Sequence, residues 1–325
     1  MKCMKRRSLL LGLAMAAFAA ATPAVHAGAW PERPITLIVP FAAGGSTDVA
    51  ARLLAEKLGA ELGQTIVVEN RSGAGSNLGA AYVAKAAPDG YTLLMATSTL
   101  AANVSLYKHM GFDLQKDLIP VSQVTRIPNV LTINNNVPAK TLSEFIDYVR
   151  RNKGAVNFGS SGNGASQHLA AELFKKMAQV DMVHVPYKGG ALATNDLIAG
   201  HIQVVFAPLV EVLPYIQAGT LRALAVTTRD RVPLLPDLPT MNESIPGFEV
   251  ALWNGLFVPN GTPAPIVDRL AALTQKVMTA PGVQKQVSEQ GSTVVGSSAS
   301  DFKTFLGTEI EKWGDLVKLS GAQID

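Results

Sequence analysis

The sequence predicts an α/β protein of two lobes with a cleft between them, and three observations carry that prediction. Short apolar strands alternate with amphipathic helical stretches along most of the chain. Glycine- and hydroxyl-rich turns stand where strands end and helices begin. The alternation starts afresh near residue 130, and the terminal helices are expected to return to the first unit. The chain therefore crosses between lobes near residues 126–132 and back near 249–255. Two lobes joined by two crossings form a hinge that closes on a small molecule.

The elements follow in order. "ITLIVPF" (35–41) reads as a buried strand, followed by the turn and helix of "AAGGSTDVAARLLAEKLG". "TIVVEN" (65–70) is a second strand, then "RSGAGSNLG" and the helix "AAYVAKAA". "YTLLMATST" (91–99) is a third. This order indicates an open, largely parallel sheet. "NVLTINNNVPAKTLSEFIDYVRRNK" begins the second unit, its helix announced by Thr141 and Glu144 as a capping box. "AVNFGSSGNGASQHLAAELFKKMA", "MVHVPYKGG", "IQVVFAP" and "LRALAVTT" continue it. Residues 232–248, rich in proline, read as a long surface loop, and "ALWNGLFVP" (251–259) as the strand after it. Two amphipathic helices, around 262–278 and 298–319, close the chain. The domain boundaries predicted are 28–127 with 250–325 for one lobe and 128–249 for the other.

Residues 1–27 read as a secretory signal rather than an anchor. Lys2, Lys5, Arg6 and Arg7 precede an apolar run, Leu9 to Ala21, too short to span a bilayer comfortably, and Val25-His26-Ala27 suits cleavage after about Ala27. The Arg6-Arg7 pair also resembles a twin-arginine signal. The full chain has 28 Lys+Arg and 25 Asp+Glu. Removing the four leader cations leaves 24 against 25, a net charge of about −1. No basic surplus points to nucleic acid or an anionic membrane. The single cysteine, Cys3, leaves with the leader, so the exported chain is expected to have no disulfide, thiol nucleophile or thiolate metal ligand. No cofactor motif is found.

The candidate site lies on the turns. Gly44-Gly45 permits close approach and left-handed backbone, and Ser46, Thr47 and Asp48 occupy the cap and first turn of the next helix. Free amides and the helix dipole there favour an anion. A phosphate loop would carry Gly-Lys-Ser/Thr, and no lysine is present. A carboxylate held by amides and hydroxyls fits better, with Asp48 read as a structural cap because its charge would repel a bound acid. "GAGSNLG" (73–79) lacks the later acidic residue that a dinucleotide's ribose requires, so Ser76 and Asn77 read as polar contacts on a second cleft loop. Thr97 and Ser98 end the third strand beside them. Ser160, Ser161, Asn163 and Ser166 crowd a helix start in the second lobe. Gly159-Ser160-Ser161-Gly162-Asn163 misses the last glycine of a nucleophile elbow. Two helix N-termini, one per lobe, would clamp an anion between them. His109, His168, His184 and His201 show no metal spacing; His184 reads as packed or solvated, and His168 as structural, with a cleft contact as the alternative. Trp253 reads equally as lid or hinge packing.

The runs "WPERPITLIVPFAAGGSTDVAARLLAEKLG", "VVENRSGAGSNLGAAYVAKAAPDGYTLLMAT", "VPYKGG" and "DLIAGHIQVVF" resemble the Bug family of extracytoplasmic receptors for tripartite tricarboxylate transporters. The resemblance runs from Trp30 to the C-terminus. It implies a two-lobed periplasmic binding protein, type II-like, monomeric and not an enzyme. Such a protein captures a small organic acid and passes it to membrane permease subunits. Members differ in ligand: citrate, dicarboxylates, acidic amino acids or aromatic carboxylates. The family's loops map to Phe41, Ala43 and the residues through Asp48, to Gly73–Gly79, and to Ser160–Ser166. Backbone, hydroxyls and bridging water hold the acid there more than arginine does. Ser76 departs from the pattern, since relatives often carry glycine there. A sensor role beside a membrane kinase and an exported enzyme are the alternatives.

Overall fold

A computed structural model describes residues 30–322. The leader expected over residues 1–27 lies outside the described residues. In chain order the strands are β1 (Ile35–Val39), β2 (Ile66–Asn70), β3 (Thr92–Thr97), β4 (Leu118–Asn134), β5 (Asn157–Ser160), β6 (Val183–Pro186), β7 (Val204–Pro208), β8 (Leu221–Val226), β9 (Ala251–Pro259) and β10 (Thr293–Val294). The helices are α1 (Ser46–Leu62), α2 (Asn77–Ala84), α3 (Ser98–Leu106), α4 (Leu114–Asp117), α5 (Leu142–Arg151), α6 (Ser166–Ala178), α7 (Gly190–Ala199), α8 (Leu209–Gln217), α9 (Met241–Ser244), α10 (Ala264–Met278), α11 (Pro281–Glu289) and α12 (Ala299–Ser320).

The strands run in the order β2-β1-β3-β9-β4-β7-β5-β6, with β8 and β10 also pairing with β4. β2-β1-β3 and β7-β5-β6 are parallel, as the strand–helix alternation predicts. The middle differs from a largely parallel sheet. β9 pairs antiparallel with β3 and with β4, and β4 pairs antiparallel with β7 and β8. One strand of 17 residues thus serves both halves: Leu118–Pro128 face β9, and Asn129–Ile133 face β7. The first half of β4 carries Pro120 and Pro128, and its register shifts after Pro120. Proline removes a ladder donor, so such a segment does not read as a strand. The return path is tied at the same place: Thr227 Oγ1 donates to Asn129 O (3.0 Å) and to Val250 O (2.5 Å). From Arg33 onward the chain packs as one compact unit.

β1 is apolar on both faces because α1 and α2 pack against it. α12 packs against α3, α6 and β4. Trp253 on β9 is 1% exposed and meets Phe302 edge-on at 5.6 Å. Its indole and that of Trp313 both donate to Glu309 Oε2, at 2.8 and 2.6 Å. Trp253 is therefore core packing and not a lid. Burying side chains of this size stabilises by about 1.5–3 kcal/mol each.

Two local expectations are amended. Thr141 caps the Glu144 amide (3.2 Å), but the Glu144 carboxylate accepts from Lys140, not Thr141. A complete capping box lies instead at Thr240 and Glu243, opening α9 inside the segment read as loop. Among the described residues no helix is long and apolar enough to cross a membrane, and no grouping of side chains suits a metal ion.

Candidate functional site

Gly44 adopts φ +84°, the left-handed region where glycine is favoured. Gly45 extends the chain into α1, and a Cβ on it would come within 3.3 Å of Glu211 Oε1. One glycine serves conformation and the other serves close approach. Asp48 does not cap α1. Its Oδ2 accepts from the Gly44 amide and from Arg52 Nε, both at 2.9 Å, and its Oδ1 accepts from Asn70 Nδ2 at 2.9 Å. Burial acts to raise this carboxyl, but the bonds from Arg52, Gly44 and Asn70 outweigh it and hold Asp48 below the usual range. Asp48 staples the glycine turn to α1 and β2, and its oxygens are spent on that.

The turn meets the other half of the chain directly. Ala42 N–H donates to Lys188 O at 2.9 Å. Ser46, the first residue of α1, donates its amide to Glu211 Oε1 at 2.7 Å, and Gln167 Nε2 donates to Glu211 Oε2 at 3.1 Å. Phe41, Gly45, Ser46 and Thr47 from one half and Ser161, Gln167, Gly190, Pro208 and Glu211 from the other enclose a common space, with Thr99 and Leu252 completing it. The cavity is about 10 Å³, room for no more than about one water, so the halves are closed on each other. Larger hollows of about 630 and 620 Å³ lie elsewhere, on the outer face of α1 and beside the proline-rich segment, and gather none of the candidate residues. 

The other candidates stand around this space without lining it. Ala43 and Gly44 are exposed. Ser76 and Asn77 are buried below Gly75, whose carbonyl accepts from Asn103, as does Asn77 Oδ1 (both 2.8 Å). A Cβ on Gly75 would meet Asn163 O at 2.5 Å, so this loop abuts the Ser160–Ser166 turn. Thr97 caps α3 by accepting from Thr99 N–H (3.2 Å), and Ser98 is fully buried with no partner for its hydroxyl. Ser160 is turned inward: its Oγ lies 2.7 Å from His184 Nε2 and donates to Gly162 O at 3.1 Å. Ser166 Oγ accepts from Asn129 Nδ2 at 3.2 Å.

His168 and His184 stack with centroids 4.2 Å apart. Burial depresses both, His168 to about 3 and His184 to about 4, with Lys175 adding to each and His184 to His168. Gly164 N–H donates to His168 Nδ1 at 3.1 Å, which a neutral ring accepts. Both rings hold the Ser160–Gly164 turn and neither lines the cavity.

Glu211, Gln167, Gly190 and Thr99 complete the cavity and were not anticipated. The signal for Glu211 is a lone acid in the apolar run "VVFAPLVEVL", just after a strand-ending proline. Burial pushes its carboxyl up, partly offset by the bonds from Ser46 and Gln167.

Two halves sharing β4 and closing helix N-termini on a polar cavity define a two-lobed solute-binding protein. The family profile of tripartite tricarboxylate transporter receptors matches residues 50–322. The chain is 36% identical over 324 residues to protein BugT of Bordetella pertussis, covering 99% of each. It is similar to the structure of periplasmic binding protein BugD (TM-score 0.87, 36% identity, 90% of this chain and 99% of that one). It is also similar to the Rhodopseudomonas palustris protein Rpa4515, solved with adipate (TM-score 0.88, 38% identity, 91% and 100%). The chain belongs to the tripartite tricarboxylate transporter receptor family, the Bug receptors.

Proposed function

We propose that the chain is the solute-binding receptor of a tripartite tricarboxylate-type transporter, capturing a small carboxylic acid in the periplasm and presenting it to membrane permease subunits. The observation that carries this reading is the meeting of α1 and α6 N-terminal turns around one polar cavity. The first amides of a helix have no partner within it and favour negative charge. A ligand carboxylate is seated on the hydroxyls of Thr99 and Ser161, beside the first turn of α1, whose Ser46 amide is held by Glu211. The lobes are 28–127 with 250–325 and 128–249, hinged where β4 and β9 pass between them. Bug-family membership and the adipate bound by Rpa4515 support a carboxylate ligand. The leader read over residues 1–27 supports export, and the protein acts as a monomeric carrier without cofactor or catalysis.

A thermal-shift panel tests this. At a hundred times its dissociation constant, a ligand that binds only the folded state stabilises by about 2.7 kcal/mol. Small carboxylic acids are expected to raise the melting temperature. A panel in which only sugars, nucleotides or metal ions do so overturns the reading.

A further inference from the structure

The seat at the start of α1 already holds a carboxyl group, and it is the protein's own. Ser46 N–H donates to Glu211 Oε1 at 2.7 Å, and Gln167, the second residue of α6, donates to Oε2 at 3.1 Å. Gly190, the first residue of α7, lies so close that a Cβ there would overlap the Glu211 carboxylate. Glu211 itself stands in the first turn of α8. Several helix N-termini thus surround one carboxyl group and favour its charged form against the burial that raises it. No lysine, arginine or histidine lines the same cavity.

A second observation points the same way. Gln167 is 2% exposed, lines the cavity and leaves its Oε1 without a partner. Its Nε2 is committed to Glu211, so the amide oxygen is an acceptor. A carboxylate and an amide oxygen therefore face the ligand space together, with no cation to answer them. Buried acceptors of this kind need a donor. A protonated amine carries three N–H donors and one positive charge. A second carboxylate in the same place would meet an uncompensated like charge.

We propose that Glu211 is a specificity-determining residue: the cleft takes an acid that also bears a protonated amine, an amino-acid-type zwitterion, in preference to the plain acid of the same skeleton. The proposal rests on the carboxylate-receptor reading above. The ligand's carboxylate goes to the hydroxyls at Ser161 and Thr99, and its ammonium goes to Glu211 and Gln167.

Calorimetry on matched pairs tests it: aspartate against succinate, glutamate against glutarate, and phenylalanine against 3-phenylpropionate. The wild type is expected to bind the amine-bearing member of its preferred pair at least about tenfold tighter. Glu211→Gln keeps the size, removes the charge, and should weaken that member by at least about tenfold while leaving the plain acid unchanged or tighter. Glu211→Asp keeps the charge and should keep the preference. A melt of each empty variant establishes that it is folded. If the wild type binds the plain acids as well or better and Glu211→Gln tightens them, Glu211 is an internal competitor for the anion seat and the proposal fails, while the receptor reading stands. A wild type that binds no acid of either kind fails both.

Discussion

At Ser76 the backbone takes φ +79°, following Ala74 at +47° and Gly75 at +58°. An L-residue in this region costs roughly 1–2 kcal/mol. The Ser76 hydroxyl is buried and has no partner to offset the cost. Glycine would relieve the strain, although its freer unfolded chain returns about 0.5–1 kcal/mol of that. Ser76→Gly is expected to stabilise by about 1 kcal/mol, read by urea denaturation. A lower stability would mean that the hydroxyl contributes in a way its geometry does not show. The glycine pair at 44–45 was legible in the sequence because its requirement is local: a turn between strand and helix. Glu211 was not, because its partners Gln167 and Ser46 are 44 and 165 positions away. Locally it reads as an acid in the first turn of a helix, a common and favourable place for one.

At the scale of elements, β5, β6 and α6 are joined through the stack of Phe158, His184 and His168. These histidines are depressed in the folded state, to about 3 and about 4 from an ordinary 6.5. Below pH 6.5 the unfolded chain takes up protons that the folded rings refuse. The stability they contribute is therefore complete above about pH 6.5 and is lost as pH falls toward 4. Between pH 7.5 and 5.5 the loss is expected to be about 2 kcal/mol for the pair, allowing for the partial exposure of His184. Urea unfolding at the two pH values measures it, and His184→Phe should recover part. Equal stability at both, with His184→Phe making no difference, would contradict the neutral stack. The parallel strands and their helices were legible from alternation alone. The first half of β4 was hidden by its prolines: Pro120 stands beside a register shift, and Pro128 stands where the strand passes from β9 to β7.

For the whole molecule, the long β4 and the antiparallel β9 give two halves a common spine, while the cleft loops from each half meet across it. Closure over a ligand then means that Ser161, partly buried on the loop before α6, approaches the first turn of α1 across the cavity. Calorimetric titration of Ser161→Asp with the acid that stabilises the wild type tests this most directly. A carboxylate near a helix start is tolerated by the fold, being favourable by roughly 0.3–1 kcal/mol. Beside a bound acid about 4 Å away it repels by about 1 kcal/mol in bulk water and about 4 kcal/mol at an intermediate dielectric. Binding should therefore fall about five-fold to roughly a thousand-fold, with little change in the melting of the empty protein, and Ser161→Ala should lose much less. If Ser161→Asp binds the acid as tightly as the wild type, the ligand's carboxylate does not lie between the two helix ends.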